Sequence, residues 1–186
     1  MKHITKILGL GILFLFFATM QISAQKCKFD YEKNDPFTGE ITKGISLEVK
    51  EKTSMPSVTH AGKPFRYNFI VNRLGDNFFI DADIYFGGNV RELIRKGEPF
   101  ILKLSNGETI SLTAQDDVVP IAIGQPSGGF WTQYKAKYSI DAVTLQKLST
   151  FTPTLFRFSL EGKNYDREVD SKEQKKFTQA TTCILQ

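Results

Sequence analysis

Apolar and polar residues alternate along most of this chain, and the alternation stops wherever glycine, asparagine and proline gather. That is the pattern of short antiparallel strands joined by tight turns. The clearest case sets Phe65, Tyr67, Phe69 and Val71 against Phe78, Ile80, Ala82, Ile84 and Phe86, with Gly75-Asp76-Asn77 between them. A hairpin follows. If the turn is centred there, the opposite face places Phe79, Asp81, Asp83 and Tyr85 across from Asn72, Ile70, Asn68 and Arg66. This face is partly polar, as the solvated side of a sheet should be.

Upstream, residues 25–44 hold the turn formers Asn34-Asp35-Pro36 and Thr38-Gly39 and read as an arm leading into a first strand at 45–51. Residues 53–64, with Pro56, Gly62 and Pro64, read as a loop. Downstream, Asn89 as N-cap, Glu92 three residues later and Gly97 beyond predict a short helix over 89–96. A second hairpin turns at Asn106-Gly107. Pairing Leu104 with Ile110, Leu102 with Leu112 and Phe100 with Ala114 brings the apolar sets together, which requires a three-residue loop, a bulge and a left-handed Gly107.

Residues 118–123 suggest a further short strand, and 124–129 a glycine loop containing Pro126 and Gly128-Gly129. Alternation then resumes over 130–140, with Phe130, Tyr134, Ala136, Tyr138 and Ile140 inward and Trp131, Gln133, Lys135 and Lys137 outward. Asp141 can cap a helix ending near Leu148. A third hairpin joins 154–160 to 165–169 through Gly162-Lys163-Asn164. The last element, 172–184, begins with Ser171 and Gln174 at capping-box spacing and carries an apolar stripe of Phe177, Ala180 and Ile184. The fold class expected is mainly β: an antiparallel sandwich or a partly closed barrel, with short connecting helices and a C-terminal helix packed on the sheet.

The extreme N-terminus breaks the pattern and changes the setting. Lys2 and Lys6 precede an apolar run over 7–18, and Ile22-Ser23-Ala24 supplies a small residue for cleavage, so residues 1–24 read as a signal peptide and 25–186 as one β-rich domain. The apolar run is shorter than the roughly 20 residues of a membrane-spanning helix, and no later stretch supplies one. Loss of Lys2 and Lys6 takes the formal net charge from +4 to +2, too small a balance for a nucleic-acid binder. Lys172, Lys175 and Lys176 read as a solvated helix face.

Only two cysteines exist, Cys27 and Cys183, one near each end of the exported chain. In an oxidising compartment such a pair is expected to form a disulfide. The rival readings are two free thiols, acylation of Cys27, disfavoured by Lys26 where a small residue is required, and a metal site. The last lacks ligand-spaced neighbours, since His60 is the sole histidine after cleavage. No cofactor is implied.

Candidate chemistry is sparse. Asp81 and Asp83 share a strand face and could do acid/base work, or simply solvate the sheet opposite Arg66. Asp116-Asp117 reads as a turn. Ser127-Gly128-Gly129 has no base to activate a nucleophile and no helix behind it to hold phosphate. Trp131, the only tryptophan, points outward beside the glycine loop and could share a binding surface with Tyr85 and Phe79, or be buried under the C-terminal helix or the facing sheet. Thirteen of the 16 phenylalanines remain after cleavage, enough to line an apolar ligand pocket or an ordinary core.

The segments Cys27-Lys28-Phe29-Asp30-Tyr31 and Asp35-Pro36-Phe37-Thr38-Gly39, with a final helix ending at Cys183-Ile184-Leu185, resemble small exported bacterial β-rich proteins of unassigned function. The resemblance implies a periplasmic or secreted setting and brings no activity with it. The expected function is a non-enzymatic binding or structural protein that contacts a protein or glycan through its sheet face and the 124–131 loop. The alternatives are a carrier of a small apolar ligand and a carboxylate-dependent hydrolase.

Overall fold

The computed structural model describes residues 27–48, 65–124 and 129–186. Among the described residues ten strands and two helices follow one another: β1 (Tyr31–Asn34), β2 (Ile41–Glu48), β3 (Phe65–Leu74), β4 (Asn77–Gly87), β5 (Pro99–Leu104), β6 (Thr109–Thr113), β7 (Ile121–Gly124), β8 (Phe130–Ile140), α1 (Ala142–Thr150), β9 (Pro153–Leu160), β10 (Lys163–Glu168) and α2 (Ser171–Leu185). Strands β1-β2-β3-β4-β8-β7 form a six-stranded antiparallel half-barrel, and β10-β9-β5-β6 form a four-stranded sheet. An isolated bridge between Ala114 and Tyr138 brings the end of β6 against β8. The architecture is mainly β, with the C-terminal helix against the sheet, and it lies between the sandwich and barrel alternatives.

The alternation along each strand explains the core. Inward positions of β3, β4 and β8, including Phe69, Ile80, Ile84, Phe86, Tyr134 and Tyr138, are buried, and they meet Phe100, Phe156 and Phe158 from the other sheet. Phe100 and Phe158 stack with centroids 4.3 Å apart, and Phe69 lies edge-on to both Phe156 and Phe177. Such ring pairs add to the burial of their area. Rings therefore fill the space between the sheets.

Helix α2 closes one side by inserting Phe177, Ala180 and Ile184, the stripe expected from sequence. Its cap is Asp170 with Glu173, one residue before the Ser171 and Gln174 expected. The Asp170 carboxylate accepts from the amides of Lys172 and Glu173, and the Glu173 carboxylate accepts from the amide of Asp170. An aspartate accepts at an N-cap as well as a serine does, and burial of Glu173 beside Arg167 fixes the choice. Helix α1 starts at Asp141 as expected, whose carboxylate accepts from the Thr144 amide at 2.7 Å.

Several local expectations are corrected. No helix forms over 89–96. Its backbone groups are taken by tertiary partners: the Val90 amide donates to Thr132 Oγ1, the Glu92 carbonyl accepts from Tyr134 Oη, and Ile94 pairs with Val118. Eight residues nucleate a helix too weakly to compete. In the second hairpin Gly107 is left-handed (φ 88°) and the loop has three residues, but it is Ser105-Asn106-Gly107. Leu102 consequently faces Ile110 and Phe100 faces Leu112, a shift of two that keeps these four side chains on the inner face. The third hairpin turns at Glu161-Gly162, both with positive φ, one residue earlier than expected. The 25–44 arm contains a strand, β1, paired with β2, and β2 begins at Ile41 instead of 45. The 118–123 strand is found at Ile121–Gly124. Phe130, expected inward, is 58% exposed because β8 overruns the core there. The signal segment, the 53–64 loop with His60, and residues 125–128 of the glycine loop lie outside the described residues.

The bond between Cys27 and Cys183 is present, with sulfurs 2.03 Å apart across 156 positions of sequence. It fastens the arm before β1 to the last turn of α2. A bond of this kind belongs to an oxidising, extracytoplasmic environment. Among the described residues no helix is long and apolar enough to cross a membrane.

Candidate functional site

The outward positions of the half-barrel bring together all five residues singled out from sequence. The β3–β4 register places Arg66 opposite Tyr85, Asn68 opposite Asp83, Ile70 opposite Asp81 and Asn72 opposite Phe79, as the turn position predicts. On the other flank β8 sets Ser139 beside Phe79, Lys137 beside Asp81, Lys135 beside Asp83, Gln133 beside Tyr85 and Trp131 beside Gly87. The result is a central band of acids and lysines with an aromatic side chain at either end of β4. Trp131 lies diagonally beyond Tyr85.

Each aromatic on this face is tied to a polar neighbour. The Arg66 guanidinium lies 4.0 Å over the Trp131 ring, and Lys137 Nζ lies 5.1 Å from the Phe79 centroid. Gln133 Nε2 donates to Tyr85 Oη at 2.8 Å. Trp131 is thus partly exposed on the outer face, not under α2 or the facing sheet.

Strand β1, which lies within the 25–44 arm, adds a residue to this face. Tyr31 faces outward over Gly44, and its hydroxyl donates to Asn72 Oδ1. A Cβ on Gly44 would lie 2.5 Å from the Tyr31 ring, so only glycine admits this packing. Asn72 Nδ2 in turn donates to Asp81 Oδ2 at 2.6 Å, and Lys137 Nζ stands 3.9 Å from Asp81 Oδ1. Burial outweighs Lys137 and Asn72 and raises the Asp81 carboxyl above its ordinary range; Asp83 adds to the rise. The Tyr31 and Tyr85 hydroxyls are also raised, first by burial and then by Asp81 and Asp83 respectively.

Chemically, the arrangement offers hydrogen-bonding groups and cations around partly exposed rings on an open sheet face. Asp81 and Asp83 stand on that face with Lys137 and Lys135 beside them, and His60 is outside the described residues. Among the described residues no three His, Cys, Asp or Glu side chains gather where a metal could sit. Sequence reasoning missed Tyr31; it places Asn72 on this face without assigning it a role. The signal for Tyr31 was Asn34-Asp35-Pro36, whose Asp35 carboxylate accepts the amides of Phe37 and Thr38 and so turns β1 back onto β2.

The four-stranded sheet provides an internal control. Its outward positions carry Ile101, Lys103, Ser111, Arg157, Asn164 and Asp166, and the aromatics of its strands, Phe100, Phe156, Phe158 and Tyr165, are all buried. Compared with known proteins, the chain matches no family model, no curated protein and no solved structure.

Proposed function

We propose that the chain is an exported, non-enzymatic binding protein of a bacterial envelope, periplasmic or secreted, which recognises a partner through the outer face of its half-barrel. The observation that carries this reading is the contrast between the two sheets. One solvated face retains Tyr31, Phe79, Tyr85 and Trp131 among charged groups, whereas the other keeps its aromatics inside. Aromatic side chains with arginine are the anchors that protein interfaces favour.

A protein partner fits better than a glycan. Arg66 covers Trp131 and Lys137 leans over Phe79, so a sugar ring could stack only after those cations swing away. The apolar-carrier reading needs an interior of several hundred Å3, and the stacked rings described above take that place.

Trp131→Ala tests the reading. Immobilised wild-type and variant protein would be exposed to native envelope extract and the captured proteins quantified by mass spectrometry. A protein enriched on wild type and lost from the variant is expected, with unfolding free energy changed by no more than about 1 kcal/mol. Identical capture by both would overturn the proposal, and a large stability loss would assign the ring to packing.

A further inference from the structure

Among the described residues the two sheets end in four edge strands, β1, β7, β6 and β10. An edge carries unpaired N–H and C=O groups and invites another strand unless charge or a covering group deters it. Strand β1 carries Glu32 and Lys33, and β10 carries Lys163, Asp166, Arg167 and Glu168. Strand β6 turns Thr109, Ser111 and Thr113 to solvent, and the bridge from Ala114 to Tyr138 ties its end to β8. Strand β7 differs, because Ile121-Ala122-Ile123-Gly124 has no charge and Ile121 is 49% exposed.

The ladder fixes which backbone groups of β7 are open. The Phe130 carbonyl accepts from the amide of Gly88, just past β4, and the Lys137 carbonyl accepts from Gln115 on the opposite flank of β8. Successive residues of a central antiparallel strand address alternate neighbours, so Trp131 and Gln133 bond toward β7. They stand opposite Ile123 and Ile121, whose backbone groups are thereby used. Ala122 and Gly124 turn theirs to the open side, where no described strand pairs with them. The same register puts the Ile121 and Ile123 side chains on the outer face, in line with Gln133 and Trp131.

We infer that β7 pairs antiparallel with β7 of a second copy of this chain, about a two-fold axis at Ala122. Self-complementarity selects that occupant and that register. With Ala122 opposite Ala122 of the second copy, the open amide and carbonyl of each meet those of the other, and both outer faces lie on one side of a continuous sheet. This register alone sets every isoleucine of the two strands against an isoleucine, Ile121 of each copy against Ile123 of the other, with no like charges meeting at the seam. Strands this short bury little area, so the dimer is reversible. Dimerisation at β7 does not depend on the outer-face partner proposed above, since the aromatic anchors take no part in the strand pairing.

Sedimentation equilibrium of the disulfide-bonded domain, residues 25–186, from about 1 µM to about 1 mM is the direct measurement. The mean mass should rise from one chain to two and stop there. Ala122→Pro removes the amide on the axis but no bond of the β7–β8 ladder, and should weaken association about tenfold or more while the amide spectrum of β3 and β4 is unchanged. Charge tests the register without altering the backbone. Ile121→Lys/Ile123→Lys sets ammonium against ammonium and should leave a monomer, whereas Ile121→Glu/Ile123→Lys sets each carboxylate against an ammonium of the second copy and should restore the dimer. A mass of one chain at every concentration would overturn the inference and leave β7 to a strand of another protein. Undiminished association of folded Ala122→Pro, or equal weakening by the two double variants, would overturn it as well.

Discussion

At the scale of single residues, Gly44 does the most for the proposed face with the fewest atoms. Its missing side chain lets the Tyr31 ring lie on β2, from where Tyr31 reaches Asn72 and, through it, Asp81. An alanine Cβ would stand 2.5 Å from two atoms of that ring and 2.6 Å from Asn72 Oδ1. Tyr31 is 37% exposed, so the ring can yield by rotating into solvent and giving up its bond to Asn72. Gly44→Ala is therefore expected to cost about 1–3 kcal/mol in urea unfolding, the range of an overpacked site. Most of that should vanish when Tyr31 is already serine, because the two changes remove one contact and cannot add. Full additivity of Gly44→Ala and Tyr31→Ser would mean that the glycine serves β2 alone.

Among the elements, α2 is held at its start by a small buried network. Glu173 accepts from Tyr67 Oη at 3.1 Å and from Arg167 at 2.9 Å while its other bond closes the capping box, and the Arg167 guanidinium lies 4.4 Å over the Tyr67 ring. Burial first, with Glu173 assisting against the pull of Arg167, pushes the Tyr67 hydroxyl far above its ordinary range, so it stays a donor. Glu173→Ala removes the ion pair to Arg167, the acceptor of Tyr67 and one half of the capping box together and should cost about 3–5 kcal/mol. Amide exchange should accelerate first in the opening turn of α2; retention of wild-type protection there would assign the helix start to apolar packing. Very little of this network is legible in sequence. Period-two alternation identified β3, β4 and β8 and even the β3–β4 register, because a one-residue slip would turn every apolar residue outward. It is blind to a slip of two, which is how the Phe100 and Leu102 partners were misplaced. Capping signals located both helices near their ends but also suggested one at 89–96, where Thr132 and Tyr134, some 40 residues away, take the backbone groups instead. Tertiary competition of that kind leaves no local mark. The same holds for the outer face: alternation puts Phe79, Tyr85 and Trp131 on the solvated side, yet the guanidinium over the indole depends on two strands, β3 and β8, that both flank β4 without pairing with each other.

The molecule as a whole is closed by one covalent link. Its two sulfurs join Cys27, ahead of β1, to the final turn of the last helix, so the loop that the bond constrains includes both sheets. In the chain-entropy account such a loop destabilises the unfolded ensemble by about 5 kcal/mol, an effect spread over every native contact. If the bond acted locally, its loss would loosen only the arm, meaning Phe29 against the core, Asp30 on Ser46 and the pairing of β1. Cys27→Ser/Cys183→Ser separates the two. Urea unfolding of the variant should show an unfolding free energy lowered by several kcal/mol at native-like secondary structure. Exchange of the most protected amides, those of β3, β4 and β8, should quicken by the same free energy, since they open only with global unfolding. Quickening confined to residues 27–34 and the end of α2, with the central strands unchanged, would show that the link serves to position the arm beside β2 and that the fold is stable without it.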